Sequence, residues 1–342
     1  MGRPTINDLA TAAGLSTSTV KRVLHGGGVV RSETMSRVLA AAEEIGFYGV
    51  GSLRGRIASS KPRHKFGLVM QQPNQVFGKA VAAGLEAAAR AVPDRDIQLS
   101  IDLISDLSPE FVAARIMEMG SDVEAMAVVA AEHPIVTEAI NQFSERGGKV
   151  LAFISPLSAP SLIGYVGLDG WKVGRTSAWA FRTACRQPGK IGILVGTHRY
   201  RCHELNEAGF RSYFREHVQD FALLEAVSTF EADGIAREVT ERLLREHEDL
   251  QGIYVSGGGM AGVLGAVRDA GKSEQVVIVG YDLSDVTRTG LLDGSINLVI
   301  SHPFEKLGQE AIAAMIRAGQ SGPMAGLQTI HVQFDIYTPE NL

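Results

Sequence analysis

The chain has 342 residues, 45% of them hydrophobic, with 38 Gly, 12 Pro and 2 Cys. That is length for two or three domains with real cores, and the composition excludes wholesale disorder, collagen and a disulfide scaffold. Cys185 and Cys202 can make one pair at most, which fits a reducing compartment. The start Met1-Gly2-Arg3-Pro4 lacks an apolar signal core, so a cytoplasmic location without a membrane partner is expected. The net charge of −5 hides an asymmetry. Residues 1–65 carry ten Lys/Arg against four acids, about +6, which leaves about −11 for the rest. A basic head on an acidic body points to an anionic polymer as partner of the head alone.

The first fifty residues predict three short helices. Thr5 caps the first over 6–13 and Gly14 ends it. Ser16 caps a second over 17–24, stopped by Gly26-Gly27-Gly28. Ser32 and Glu33 start a third over 34–45, closed by Gly46. Leu9, Ala10, Leu15, Val20, Val23, Val38, Leu39, Ala42 and Ile45 fall at helical spacing and supply one small core. The first two helices make a helix-turn-helix. The second shows solvent Thr17, Ser18, Lys21 and Arg22, short hydroxyls for close approach to DNA and an Arg suited to guanine edges.

Residues 50–65 read as a linker: Gly, Ser and basic side chains with little apolar content, able to form a short helix once an anion neutralises them. From Phe66 onward, apolar runs at 66–70, 125–130, 150–154, 191–195, 252–255, 276–279 and 298–300 are expected to be strands. They alternate with helical segments at 79–91, 109–119, 135–146, 171–183, 204–216, 235–247 and 260–270. A helix over 304–317 and late strands near 330–334 complete the set. This is an α/β body with parallel sheets covered on both faces, and the order restarts near Gly189, so two sheets are expected.

At the head, Thr5-Ile6-Asn7-Asp8-Leu9-Ala10 through Gly14-Leu15-Ser16 to Thr19-Val20-Lys21-Arg22-Val23-Leu24 follows T-I-x-D-x-A-x-x-A-G-x-S-x-x-T-V-x-R-V-L. In this motif the chain resembles the LacI/GalR family of bacterial transcription regulators, and the resemblance runs through the linker into a periplasmic-binding-protein-like body of two subdomains. It implies a helix-turn-helix DNA-binding domain at 1–49, a hinge at 50–61 and an effector-binding and dimerisation domain at 62–342. The N-subdomain would take about 62–162 plus 295–324, the C-subdomain about 163–294 plus 325–342.

By the same resemblance, Thr17, Ser18 and Arg22 would read major-groove bases of double-stranded operator DNA. Thr5, Ser16, Thr19, Lys21, Arg31 and Ser32 would lie at phosphates. The linker departs from the family: Phe47-Tyr48-Gly49-Val50 has neither the Pro nor the Asn that precede the hinge helix, and Arg56 stands where a minor-groove leucine is usual. Leu53 or Ile57 can supply the apolar wedge, or Arg56 can enter a narrow groove instead.

Ligands of such bodies sit at the carboxyl ends of the strands. There the sequence offers Gln72, Asn74 and Phe77 after the first run, then Glu132 and His133, then Ser155. Arg199, Arg201, Glu204 and Asn206 come next, and finally Asp282 and His302. Amides, hydroxyls, imidazoles and aromatic rings together suit a neutral polyhydroxylated effector, a sugar or polyol. The resemblance supports Asp282 most, in an element matching the family's V-V-G-Y-D, with His302, Asn74 and Phe77 facing the cleft. Asn206 stands where the family has an effector-binding Arg, so Arg199 or Arg201 is the expected substitute.

Two alternatives stand beside a sugar-controlled regulator acting as a homodimer: a regulator with a purine effector, and an oxidoreductase. Gly257-Gly258-Gly259-Met260-Ala261-Gly262 satisfies G-x-G-x-x-G after a strand, with Asp282 placed like a ribose-binding acid, a dinucleotide fingerprint. No H-E-x-x-H, Walker, G-x-S-x-G or Cys/His metal pattern occurs, so neither an enzyme activity nor a cofactor or metal is expected.

Overall fold

The structure, a computed structural model, describes residues 3–25, 30, 32–71, 75–217, 221–320 and 327–342, and of residues 32, 56–60 and 75 the backbone only. The chain forms two units. One comprises residues 1–64 with 90–98 and the other residues 65–89 with 99–342.

In the first unit, α1 (Ile6–Ala13), α2 (Thr17–His25), α3 (Ser32–Glu44) and α4 (Val50–Ser60) share one core. It is built on Leu9, Val20, Val23, Val38, Ala42, Phe47 and Leu53. Thr5 and Asp8 close a capping box on α1: Asp8 N–H donates to Thr5 Oγ1 at 3.3 Å and Thr5 N–H to the Asp8 carboxylate at 2.8 Å. Gly14 ends α1 in the left-handed region (φ 61°, ψ 38°), and Arg37 Nη2 donates to Ala13 O at 2.9 Å, pinning α3 to that end. A Cβ at Gly14 would lie 3.3 Å from Arg37 Nη2 and would force an L side chain into the left-handed region. Gly14→Ala is therefore expected to destabilise the head by about 1–2 kcal/mol. Amide exchange over residues 6–24 of the full chain should quicken about tenfold.

The expected linker is a helix from Val50 to Ser60. Its N-terminal half makes it part of the head: Leu53 is 2% exposed in the shared core, and Arg54 pairs with Glu43 of α3 at 2.7 Å. Leu53 accordingly cannot serve as a minor-groove wedge while the head stays folded. Composition misled because one apolar side chain and one ion pair suffice to dock a helix this short.

After the head the chain continues with β1 (Arg63–Gln71), α5 (Gln75–Ala91), β2 (Asp96–Ile104), α6 (Pro109–Met119), β3 (Ala125–Val129), α7 (Pro134–Glu145), β4 (Lys149–Phe153) and β5 (Gly164–Leu168). Next along the chain are α8 (Gly170–Ala184), β6 (Gly189–Val195), α9 (Arg201–Glu216), β7 (Phe221–Ser228), α10 (Asp233–Glu246), β8 (Leu250–Ser256), α11 (Met260–Asp269), β9 (Val277–Tyr281) and α12 (Asp285–Leu292). Last come β10 (Leu298–Ser301), α13 (Phe304–Gln320), β11 (Gln328–Val332) and β12 (Asp335–Tyr337).

Two six-stranded sheets result, ordered β11-β5-β4-β3-β1-β2 and β12-β10-β9-β8-β6-β7. The pairings from β1 through β3, β4 and β5 to β11 are parallel, and in the second sheet only β12 runs antiparallel, to β10. Both faces of the second sheet are covered, by clusters around Leu264 and Ile278 and around Phe181 and Phe210. Its central strands are therefore mostly buried.

The expected subdomain limits need correction. β5 belongs to the first sheet and β10 to the second, while β11 and β12 divide between the two. The chain therefore changes lobe after β5, after β10 and again after β11. Each sheet reverses its order once, between β3 and β1 and between β8 and β6, and such switch points place a crevice at the carboxyl strand ends.

Candidate functional site

In the head, Ser16 caps α2: its Oγ accepts from Thr19 N–H at 3.2 Å and exchanges hydroxyl hydrogen bonds with Ser18 (2.9 Å) and Thr19 (2.8 Å). This fixes the first turn, so that Ser18, Lys21 and Arg22 are exposed beside half-buried Thr17 and Thr19, on the side opposite core residues Val20 and Val23. Arg22 Nη2 is 3.5 Å from Thr19 Oγ1, a weak tether that leaves its donors to solvent. Thr5 is exposed but engaged in its capping box. Arg31 and the side chains of Ser32, Arg56 and Ile57 lie outside the described residues.

In the body, a cavity of about 360 Å³ opens at the carboxyl ends of both sheets. Phe77, Val129, Ile154 and Ser155 line it from the first lobe. From the second come Tyr200, Cys202, His203, Glu231, the Gly257–Met260 turn, Tyr281, Asp282 and His302. Asp282 Oδ1 accepts from the His302 backbone N–H at 2.9 Å and lies 2.8 Å from His302 Nδ1. The His302 ring stands edge-on to Phe77 and Tyr281, with centroids 5.4 and 5.3 Å away. Asp282 Oδ2 takes no hydrogen bond from the described residues. Asp282 itself is left-handed (φ 60°), held by its N–H on Ile300 O at 2.7 Å and by Thr287 Oγ1 donating to its carbonyl at 2.8 Å.

Every described non-glycine residue with positive φ belongs to this cleft or borders it: Ile154, Phe230, Glu231 and Asp282. Such backbone costs on the order of 1–3 kcal/mol per residue and persists where surrounding structure over-determines it. Glu231 is not among the residues expected from the sequence. Its side chain is 5% exposed, Oε2 accepts from Gly258 N–H at 2.7 Å, and Oε1, itself buried, has no hydrogen-bond partner among the described residues, with His203 Nε2 at 3.8 Å.

Burial raises the Glu231 carboxyl above its ordinary value, against the pull of His203 and the Gly258 N–H. A carboxyl raised on folding stabilises the fold below its unfolded value, and that contribution is lost as pH climbs through the folded value. Glu231→Gln is therefore expected to raise the melting temperature at about pH 7.5, with the gain vanishing below about pH 4. Cys202 stands in the same wall; burial pushes its thiol up to about 12, so it stays protonated and inert.

The glycine-rich loop has a different use from the dinucleotide reading. A Cβ at Gly196, Gly257 or Gly258 would come within 1.6, 2.9 and 2.3 Å of a Glu231 carboxylate oxygen, and at Gly262 within 1.9 Å of Asp233 O. These glycines make room for an acid of the same chain and for the close crossing of α10 and α11. With that carboxylate on the Gly258 N–H, a pyrophosphate would meet like charge where it needs a free donor.

Of the expected ligand residues, Phe77, Ser155, Asp282 and His302 line the cavity; Glu132, His133, Arg199, Arg201, Glu204 and Asn206 do not. Gln72 and Asn74 lie outside the described residues. His133 caps α7, its Nδ1 accepting from Ile135 N–H. Asn206 is buried, its carboxamide 3.0 Å from Ser256 Oγ, and Glu204 is exposed. The others tie the two lobes together. Glu132 N–H donates to Arg199 O at 2.8 Å, and Arg201 Nη1 donates to Ser158 Oγ at 3.0 Å. Ser158 in turn donates from N and Oγ to the Glu132 carboxylate. Tyr200 Oη donates to Gln71 O at 2.6 Å, and Cys202 N–H to Ser155 Oγ at 3.4 Å. The Arg201 guanidinium is thus drawn into the contact between lobes, and neither Arg lines the cavity.

Residues 66–322 match the family model described as periplasmic binding protein domain, and residues 5–49 the model for bacterial regulatory proteins of the lacI family. The ribose operon repressor of Bacillus subtilis is 24% identical over 333 residues, spanning 94% of this chain and 93% of the repressor. Catabolite control protein A of Priestia megaterium is 24% identical over 285 residues, 81% and 82% of the two chains. Among solved structures, GanP, a glucose-galactose binding protein from Geobacillus stearothermophilus, superposes with a TM-score of 0.72 at 18% identity. It covers 82% of this chain and 99% of GanP, which establishes a shared fold.

Proposed function

Because the chain belongs to the periplasmic binding protein domain family and carries at its head the DNA-binding motif of the lacI family of bacterial regulatory proteins, we propose that it is a transcription repressor controlled by a carbohydrate or polyol held in the cleft. One observation carries the reading: a helix-turn-helix whose second helix presents hydroxyls and cations shares a chain with a two-lobed body whose crevice ends in Asp282 and aromatic rings. The chain would act in the cytoplasm as a homodimer, with the face of the helix near 79–90 in the interface. Its two heads would read the half-sites of a near-palindromic operator. The effector acts through its different affinities for the DNA-competent and DNA-released arrangements, a coupling of about 1–3 kcal/mol in typical cases.

The test is selection of genomic fragments by the full-length protein at moderate salt, with and without a panel of sugars and polyols. Enrichment of one near-palindromic sequence, altered by a sugar, is the expected result; no site-selective retention in either arm overturns the reading. On the selected site Arg22→Ala is expected to cost about 1–3 kcal/mol and to relax one base pair. An equal loss on unrelated DNA would make Arg22 a phosphate contact only.

A further inference from the structure

We propose that the effector is a deoxy sugar, and that Ile154 selects it by packing against the methyl group that stands in place of a hydroxymethyl. The inference rests on the cleft being the effector site, and it narrows the ligand's chemistry. Ile154 directly follows β4 and is left-handed (φ 62°), a backbone that a β-branched residue adopts only under compulsion. Its surroundings supply that compulsion. Its N–H donates to Val166 O at 2.8 Å, Tyr165 Oη donates to its carbonyl at 3.0 Å, and the N–H of Ser155 closes on Phe153 O at 2.6 Å. A Cβ at Gly167 would collide with that tyrosine hydroxyl, so the glycine keeps its place clear. Were the position only a turn, Gly or Asn would take the same backbone at little cost. What Ile adds is a branched apolar side chain in the cavity wall, and backbone held against its preference at a ligand site points to a use for that side chain.

The wall around Ile154 has the same character. Phe77, Ala80, Val129 and Phe304 line the cavity with it, and the Phe77 and Phe304 rings meet edge to face with centroids 5.7 Å apart. Ser155 is the one polar side chain among the described lining residues of the first lobe; it is buried, and its Oγ already accepts from Cys202 N–H across the lobes. A hydroxyl set against Ile154, Val129 and Phe77 loses its water without gaining a partner from them, whereas a methyl group there gains by burial. Asp282 and His302, in the second lobe, remain to take ligand hydroxyls. The cavity therefore suits a molecule that is polar along one edge and bare at another. A 6-deoxyhexose has that division, with hydroxyls around the ring and a methyl group projecting from it.

The experiment is calorimetric titration of the full-length protein with D-fucose, L-fucose, L-rhamnose and 6-deoxy-D-glucose, each beside its parent hexose (D-galactose, L-galactose, L-mannose and D-glucose), repeated on Ile154→Asn. At least one deoxy sugar is expected to bind about ten- to a hundredfold more tightly than its parent, the range for one hydroxyl buried without a partner. Asn accepts the left-handed backbone and sets a carboxamide where the methyl group would rest, so Ile154→Asn should erase or reverse the preference while sparing the parent hexose. Parent hexoses binding at least as tightly as their deoxy sugars in every pair overturn the assignment and leave the carbohydrate cleft standing. A preference that survives Ile154→Asn overturns the role of Ile154. No binding by any member overturns the carbohydrate cleft as well. The deoxy-to-parent comparison on the unaltered protein decides the ligand class even if the variant fails to fold.

Discussion

Leu53→Ala is expected to unfold the head and abolish site-selective DNA binding while ligand binding in the body continues. Leu53 is 2% exposed in a core shared by four short helices, and truncating such a leucine costs about 2–5 kcal/mol. A folded unit of about 60 residues has stability on the order of 3–9 kcal/mol in total, so the loss takes most of it. Amide protection across 6–44 should collapse together with operator affinity measured by fluorescence anisotropy, and a titration of the cleft should be unchanged. A loss of operator affinity with protection intact would instead place Leu53 against the DNA and contradict its role in the core.

Asp282→Asn is expected to weaken effector binding by about ten- to a hundredfold and so silence the response, with operator affinity in the absence of effector unchanged. The substitution is chosen for its backbone: Asn accepts the left-handed conformation at 282 almost as readily as Asp, and on the Asp282 side the anchoring bonds to Ile300 O and Thr287 Oγ1 involve main-chain atoms only. What changes is the charge. A neutral amide loses the charge-assisted bonds from His302 and from a ligand hydroxyl, each worth about 1.5–3 kcal/mol. Equal effector affinity for the two proteins would move the ligand to another wall of the cavity.

Much of this was legible in the residues. Thr5, Gly14 and Ser16 mark the ends of α1 and α2 because capping chemistry is local, and the buried strands announce themselves as unbroken apolar runs, except β5, whose five buried residues include Gly164 and Gly167. The edge strands β2 and β7 did not. β2 and β7 alternate half-buried and exposed side chains, and β7 holds Glu225 mid-strand. The same edge character hid the main missing residue of the site. Asp282 and Ser155 stand directly after unbroken apolar runs, where a strand end is evident, whereas Glu231 stands three residues beyond β7, whose apolar run is interrupted by Glu225. Arg201 and Glu132 have the polarity of ligand residues, but the bonds around Ser158 already use their side chains, and only three-dimensional proximity reveals that. Leu53 sits among Gly, Ser and Arg, and nothing in that composition marks it as a core residue.

The bonds from Tyr200, Arg199, Arg201 and Cys202 across to the first lobe have a kinetic consequence. Each contributes roughly 1 kcal/mol net, so spreading the lobes against all four is uphill by a few kcal/mol. Capture of a metabolite then waits on a rare spontaneous gape, and the observed rate of uptake should reach a ceiling as concentration climbs. That ceiling would read the opening rate of the lobes themselves, in the microsecond-to-millisecond range usual for hinge motions.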